Sequence, residues 1–117
     1  MSTADVTFHE EPLGPDGLIL TARGELDVAT APALRERLRE AHDRGVRRLV
    51  LDLCDVTFID SLTLAAIVGA RTRLSDDGAM AIATCHHYVL LIFEAGGLDG
   101  LLDVVETRDE AVALVRG

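Results

Sequence analysis

The sequence contains no lysine and no tryptophan, and its aromatic residues are limited to one tyrosine and three phenylalanines. Its 11 basic residues are therefore all arginine, and 20 acidic residues give a net charge of −9. Nucleic-acid binding requires a basic face that displaces counterions from phosphates, so this balance argues against a nucleic-acid partner. A P-loop nucleotide site is excluded because its motif requires a lysine. The acidic charge favours solubility, or an acidic face that meets a basic patch on a partner protein.

Cysteine is also scarce, since Cys54 and Cys85 are the only two. Each follows or ends an apolar strand pattern, so we interpret both as small core residues. The adjacent His86 and His87 diverge by about 100° on a helix and do not complete a metal-ligand pattern. We therefore expect no metal and no cofactor. The first residues are polar and no run of ~18 apolar residues follows, so we expect no signal peptide, no membrane insertion and a cytoplasmic location.

What the sequence does contain is enough apolar material for one core. The 117 residues fit one domain over 1–117, and 49% of them are hydrophobic. With so few aromatics, the core must consist of Leu, Val, Ile and Ala. A chain of this size needs neither disulfides nor a structural metal for stability.

Apolar periodicity and turn residues predict an alternation of strands and helices. The predicted strands cover 6–9, 18–23, 47–54, 79–84 and 101–105, and the predicted helices begin near 30 and 61 and cover 87–95 and 107–115. The last helix has a capping box of Thr107 and Glu110. This order predicts an α/β fold with a mostly parallel sheet of four to five strands, an N-terminal antiparallel hairpin and about four helices.

The strand-to-helix junction at Asp60 and Ser61 is the segment of the sequence that most clearly indicates a functional site. Four backbone N–H groups lack partners at a helix start and the helix dipole is positive there, so a phosphate on Ser61 is favoured at this position. Asp and Ser are also the commonest N-caps, and from the residues of the junction alone simple capping is the better explanation.

Two motifs resemble one known family. The first is Gly24-Glu25-Leu26-Asp27, with Thr30 following before a helix. The second is Leu49-Val50-Leu51-Asp52-Leu53, followed by Val56-Thr57-Phe58-Ile59-Asp60-Ser61 and Leu64. Together with the element order, they resemble the STAS family along nearly the whole chain, specifically the anti-sigma factor antagonists of bacterial partner-switching pathways, which regulate transcription.

This resemblance implies that Ser61 accepts a phosphate from an anti-sigma factor that is itself a serine kinase. The unphosphorylated protein binds that anti-sigma factor and frees the sigma factor, phosphorylation breaks the complex, and a phosphatase restores it. The resemblance also implies that Asp27 helps to bind the kinase. The partner-binding residues predicted on this basis are Asp27, Thr30, Asp60, Ser61, Leu62, Thr63 and Leu64.

The chain departs from the family pattern at two adjacent positions. Leu62 and Thr63 stand where the family has Ser or Thr and then Gly. We expect Leu62 to lie at the partner-facing rim and Thr63, which is β-branched, to narrow access to Ser61. These departures favour an alternative, a non-phosphorylated STAS scaffold or a subunit of a larger sensory or transport complex.

An enzymatic function has little support in the sequence. Ser61 lacks the Gly-x-Ser-x-Gly elbow of a nucleophile. The four histidines have no evident relation to Ser61, so no base is paired with it. We therefore expect a protein-binding module with no catalytic residues.

Overall fold

A computed structural model describes residues 6–74, 77–96 and 102–116. In these ranges the chain forms β1 (Val6–Leu13), β2 (Gly17–Leu26), α1 (Ala31–Asp43), β3 (Arg48–Ile59), α2 (Ser61–Arg73), β4 (Ala79–Ala83), α3 (His87–Ala95), β5 (Asp103–Val105) and α4 (Arg108–Arg116). The sheet order is β1-β2-β3-β4-β5, with β1 and β2 antiparallel and the later pairs parallel. The predicted α/β fold, element order and N-terminal hairpin are confirmed.

The helices cover both faces of the sheet, and β3 contributes to both layers. On one face Leu51 packs with Leu34 of α1, Ile67 of α2 and Phe93 of α3. On the other face Val50 packs with residues of α4, including Ala111 and Val115. Because both faces of β3 are covered, its first half is a nearly continuous apolar run.

Both strands of the hairpin and β3 are longer than the sequence predicted. The turn needs only residues 14–16, with Gly14 at a positive φ of 68°, so strand pairing continues to Leu13 and resumes at Gly17. β3 continues past Cys54 to Ile59. The fifth strand begins at Asp103, and residue 101 of its predicted range lies outside the described residues.

The interpretation of Cys85 as a core residue is wrong. β4 ends at Ala83, and Cys85 lies in the exposed connection to α3. Cys54 is half-buried and packs beside the α4 layer. Burial, and secondarily the neighbouring Asp52 carboxylate, raises the pKa of the Cys54 thiol to about 12.

The parallel pairing of β2 and β3 sets the position of the candidate site. Their last register partners are Leu26 and Ile59, so both strands end side by side. Each strand is followed at once by an aspartate, Asp27 or Asp60, and then by a helix. The carboxyl ends of parallel strands share one edge of the sheet, and this edge carries both of the motifs that the sequence analysis identified. None of the described helices has the length and apolarity needed to cross a bilayer.

Candidate functional site

The start of α2 is an N-cap built by Asp60. This residue has extended backbone (φ −120°, ψ −175°), and its carboxylate accepts the Thr63 N–H at 3.0 Å. Its carbonyl accepts the Leu64 N–H at 3.0 Å, which closes the first helical turn. The predicted helix start at Ser61 is confirmed, with Asp60 as the capping residue.

Ser61 is the first residue of α2 and is exposed. The hydroxyl group therefore lies at the positive end of the helix, where unpaired backbone N–H groups favour a negative charge. Next to it, Leu62 is also exposed, with 52% of its surface accessible. An exposed hydroxyl and an exposed apolar side chain thus stand together in the first turn of α2.

Thr63 is turned into the protein and is fully buried. Its hydroxyl donates to the Leu26 carbonyl at 2.9 Å and lies 3.1 Å from Asp60 Oδ1. The expectation that Thr63 narrows access to Ser61 is therefore wrong, because the side chain points to the β2 strand and away from the surface. Leu64, the next residue, is half-buried and packs against the core.

The loop after β2 has its own set of hydrogen bonds. Asp27 Oδ1 accepts the backbone N–H groups of Ala29 at 2.9 Å and Thr30 at 3.2 Å. The Thr30 hydroxyl accepts the Asp27 N–H at 2.9 Å and donates to the Glu25 carbonyl at 2.7 Å. Thr30 is buried and Asp27 is half-buried. Thr30 is the N-cap residue of α1 but forms no side-chain cap bond, so its side chain stabilises the loop.

The two loops share a pattern that the sequence analysis missed. In each, a strand is followed by aspartate, and a threonine three residues later turns inward: Asp27 with Thr30, and Asp60 with Thr63. The signal available in the sequence was an aspartate with a threonine three positions later, near the end of a strand. Its meaning depends on the β2–β3 register, which brings the two loops together.

Two further exposed apolar groups lie near the ends of these strands. Val28, in the loop after β2, is 68% exposed. Phe58, near the end of β3, stacks on Tyr88 of α3 with ring centroids 5.9 Å apart and an interplanar angle of 14°. Tyr88 remains 43% exposed. The sequence analysis quoted Phe58 only as part of a family motif and did not identify Val28 or Tyr88. The stacking of Phe58 on Tyr88 depends on how α3 packs beside β3.

The site therefore combines an outer set of side chains with an inner set. Asp27, Ser61 and Leu62 present accessible surface, whereas Thr30 and Thr63 hold the two loops from inside. Among the described residues, no group of three or more His, Cys, Asp or Glu side chains is placed to hold a metal ion. The site therefore offers an accessible hydroxyl beside an apolar and acidic surface suited to protein binding.

Comparison with known proteins gives a consistent result. The family model described as the STAS domain matches residues 4–111. The "Anti-sigma-B factor antagonist" of Staphylococcus aureus (strain NCTC 8325 / PS 47) is 34% identical over 106 residues, which cover 90% of each protein.

Solved structures have the same fold. An anti-sigma factor antagonist from Mycobacterium paratuberculosis superposes with a TM-score of 0.92 at 23% identity, covering 99% of this chain and 98% of that one. The Bacillus cell fate determinant SpoIIAA in its phosphorylated form gives a TM-score of 0.70 at 19% identity, covering 92% of this chain and 97% of that one. At these identities the structures show the likeness of fold alone.

Proposed function

Because this chain belongs to the STAS domain family, we propose that it acts as an anti-sigma factor antagonist whose binding is switched off by phosphorylation of Ser61. Its partner is an anti-sigma factor of the serine-kinase type, and a phosphatase acting on the phosphoserine reverses the switch. The observation that carries the proposal is the exposed Ser61 hydroxyl at the first residue of α2, directly after the Asp60 cap.

The relatives support both parts of this proposal. The S. aureus protein, which matches this chain over nearly its whole length, is named for antagonism of an anti-sigma factor. SpoIIAA has been solved in a phosphorylated form, so a phosphate is compatible with this fold in that protein. An exposed serine at a helix start gives the present chain a place for the same modification.

A phosphate at Ser61 has a direct physical effect on a bound partner. It adds about −1.5 to −2 charges, which the positive helix end favours in the free protein. In a complex, the same charge lies one residue from the exposed Leu62, where a partner must exclude water. Burying the phosphate without a matching positive group is costly, so the phosphorylated form favours dissociation.

The predicted partner-binding residues divide into two roles. Asp27, Asp60, Ser61 and Leu62 form the contact surface, with Leu64 anchoring the first turn of α2 to the core. Thr30 and Thr63 are buried and support binding by fixing the loops that carry these residues.

The proposal is tested by incubating the protein with ATP and a candidate anti-sigma kinase and measuring its intact mass. We expect a gain of one phosphate, and we expect Ser61→Ala to abolish it. Thr72 has an exposed hydroxyl near the far end of the same helix, where it donates to the Gly69 carbonyl at 2.9 Å, so Thr72→Ala serves as the matched control and should leave the gain unchanged. A phosphate that persists in Ser61→Ala contradicts the assigned site.

A second candidate function is a scaffold that binds its partner without phosphorylation. The exposed Leu62, where the resembled family pattern has a hydroxyl residue, favours a permanent apolar contact at this position. Stable binding to a multiprotein complex, with no phosphate gained from any kinase tested, supports this alternative.

A further inference from the structure

A single peptide group joins the two loops of the candidate site. Its carbonyl, that of Leu26, accepts the Thr63 hydroxyl at 2.9 Å and the Asp60 N–H at 3.2 Å. Its N–H, that of Asp27, donates to the Thr30 hydroxyl at 2.9 Å. One planar unit is therefore hydrogen-bonded to the α2 start on one side and to the Asp27 loop on the other.

The α2 side of this connection includes the cap. Asp60 Oδ1 accepts the Thr63 N–H at 3.0 Å and lies 3.1 Å from the Thr63 hydroxyl. Thr63 and Leu26 are both fully buried, so water does not compete for these bonds. Hydrogen bonds in such a shielded chain are stronger than in water and polarise one another.

On the other side, the hydrogen bond from the Asp27 N–H to the Thr30 hydroxyl helps to fix the conformation of the Asp27 loop. The Thr30 hydroxyl donates a hydrogen bond to the Glu25 carbonyl at 2.7 Å. Asp27 Oδ1, in turn, holds the N–H groups of Ala29 and Thr30. A change in the hydrogen bond from Asp27 N–H therefore reaches the backbone that presents the Asp27 side chain.

We propose that Thr63 is a positioning residue that couples a charge at Ser61 to the conformation of the Asp27 loop through the Leu26–Asp27 peptide group. This inference rests on the proposed function, because it describes how phosphorylation of Ser61 alters a second part of the same surface. The partner then meets a changed Asp27 loop in addition to the phosphate itself.

The coupling has a physical cause in the competition between two anions. A phosphate on Ser61 and the Asp60 carboxylate compete as acceptors for the few unpaired N–H groups of the first turn of α2. Their mutual repulsion weakens the Asp60 cap, so the Thr63 hydroxyl loses one of its two neighbouring oxygens. The remaining bond from Thr63 to Leu26 then changes in strength and geometry, and the Asp27 N–H bond changes with it.

The test is amide NMR on the full chain, with no partner present. Ser61→Asp supplies the charge, and Ser61→Asn is the uncharged control of nearly the same shape. We expect Ser61→Asp to shift the amide signals of Asp27, Ala29 and Thr30 more than Ser61→Asn does. The amide of Glu110 in α4, which donates to the hydroxyl of Thr107 directly before that helix, should not respond.

The role of the hydroxyl is tested by repeating this comparison in two Thr63 variants. Thr63→Val keeps the shape and removes the hydroxyl, and the difference between Asp and Asn at position 61 should then disappear from the Asp27 loop. Thr63→Ser keeps the hydroxyl and should preserve the difference. An unchanged difference in Thr63→Val overturns the inference.

The existence of the coupling does not depend on whether Thr63→Val folds, because the unsubstituted Thr63 background tests it directly. If Ser61→Asp and Ser61→Asn give the same Asp27-loop signals there, the coupling is absent. If Thr63→Val does not fold, Thr63→Ala, which also lacks the hydroxyl, tests the part played by Thr63, and an unchanged difference in that variant overturns the inference. Either result is separate from failure of the proposed function, which is measured by partner binding and phosphate gain.

Discussion

Ser61, Leu62 and Thr63 are consecutive residues in three different environments. Ser61 and Leu62 are exposed, whereas Thr63 is fully buried against the end of β2. Helical periodicity separates them, since successive side chains in the first turn point about 100° apart. One short segment therefore supplies an exposed hydroxyl, an exposed apolar side chain and an internal hydrogen bond.

The two cysteines should differ in reactivity towards iodoacetamide. Cys85 is exposed, whereas Cys54 is half-buried and its thiol has a pKa of about 12, so little of the reactive thiolate forms at Cys54 near pH 8. We expect peptide mass spectrometry to find Cys85 alkylated first at pH 8. Cys54 should react faster only as the pH rises towards 12.

A matched variant checks this assignment. In Cys85→Ser the single remaining thiol should react slowly at pH 8, and equal rates for the two cysteines contradict the account.

The raised pKa of the Cys54 thiol also affects the stability of the fold. Because the folded value lies above the ordinary value of 9.0, the neutral Cys54 thiol stabilises the fold below pH 9, and this contribution is lost as the pH rises towards 12.

At the residue scale, the sequence identified positions better than it identified orientations. The Asp60–Ser61 junction predicted the cap and the helix start, because capping depends on local residues. The burial of Thr63 depends on the Leu26 carbonyl, which comes from a strand 37 residues away. The exposure of Cys85 likewise depends on where β4 ends, which its apolar neighbours do not reveal.

At the scale of elements, β3 explains why strand lengths were underestimated. The β3 residues that face the α1–α2 layer alternate through Leu49, Leu51 and Leu53 but then recur three apart, at Val56 and Ile59. The register with β2 shifts twice in this stretch, between Thr21/Arg23 and between Gly24/Glu25, and each shift adds a residue to β3. Such bulges break the period of two on which strand prediction depends.

The cap of α2 makes a measurable contribution to stability. Asp60→Ala removes the acceptor for the Thr63 N–H and should lower the free energy of unfolding by about 1 kcal/mol. Asp60→Asn is the matched control, because Asn caps helices nearly as well as Asp. Urea denaturation measures both. Equal stability of Asp60→Ala and the unsubstituted protein contradicts the assigned cap.

At the scale of the whole molecule, one arginine connects three elements. Arg108, at the start of α4, forms an ion pair with Glu11 of β1, and its Nη1 lies 4.0 Å from Asp52 Oδ2 in β3. The hydrogen bond and charge of Arg108 lower the pKa of the Glu11 carboxyl. Helix α4 is thereby attached to the sheet on the face opposite the α2 layer.

The sheet topology also accounts for the site as a unit. Parallel pairing of β2 and β3 places residues separated by more than 30 positions, such as Leu26 and Asp60, within hydrogen-bonding distance. From the alternation of strands and helices the sequence predicted a mostly parallel sheet, but not which strands are neighbours in it. It did not predict the shared peptide group, because that depends on exact register and on the two bulges.

The overall charge affects how the partner required by the proposed function would associate. A net charge of −9 favours a partner with a basic face and makes the association rate depend on salt. A phosphate on Ser61 adds to this negative charge and a basic partner attracts it at long range, so the proposed weakening of binding has to come from the local cost of desolvating the phosphate beside Leu62. Affinities of phosphorylated and unphosphorylated protein should therefore be compared at one fixed ionic strength.

The most direct measurement is calorimetric titration of the anti-sigma partner with three forms of the protein: unsubstituted, Ser61→Asn and Ser61→Asp. We predict that the first two bind with similar affinity and that Ser61→Asp binds at least about tenfold more weakly, which corresponds to about 1.4 kcal/mol. Thermal unfolding should show all three forms folded at the temperature of the titration, with the stability of Ser61→Asp differing by no more than the helix-dipole contribution of about 0.3–1 kcal/mol. Equal affinity of Ser61→Asp and Ser61→Asn contradicts the central claim that a negative charge at the start of α2 controls binding.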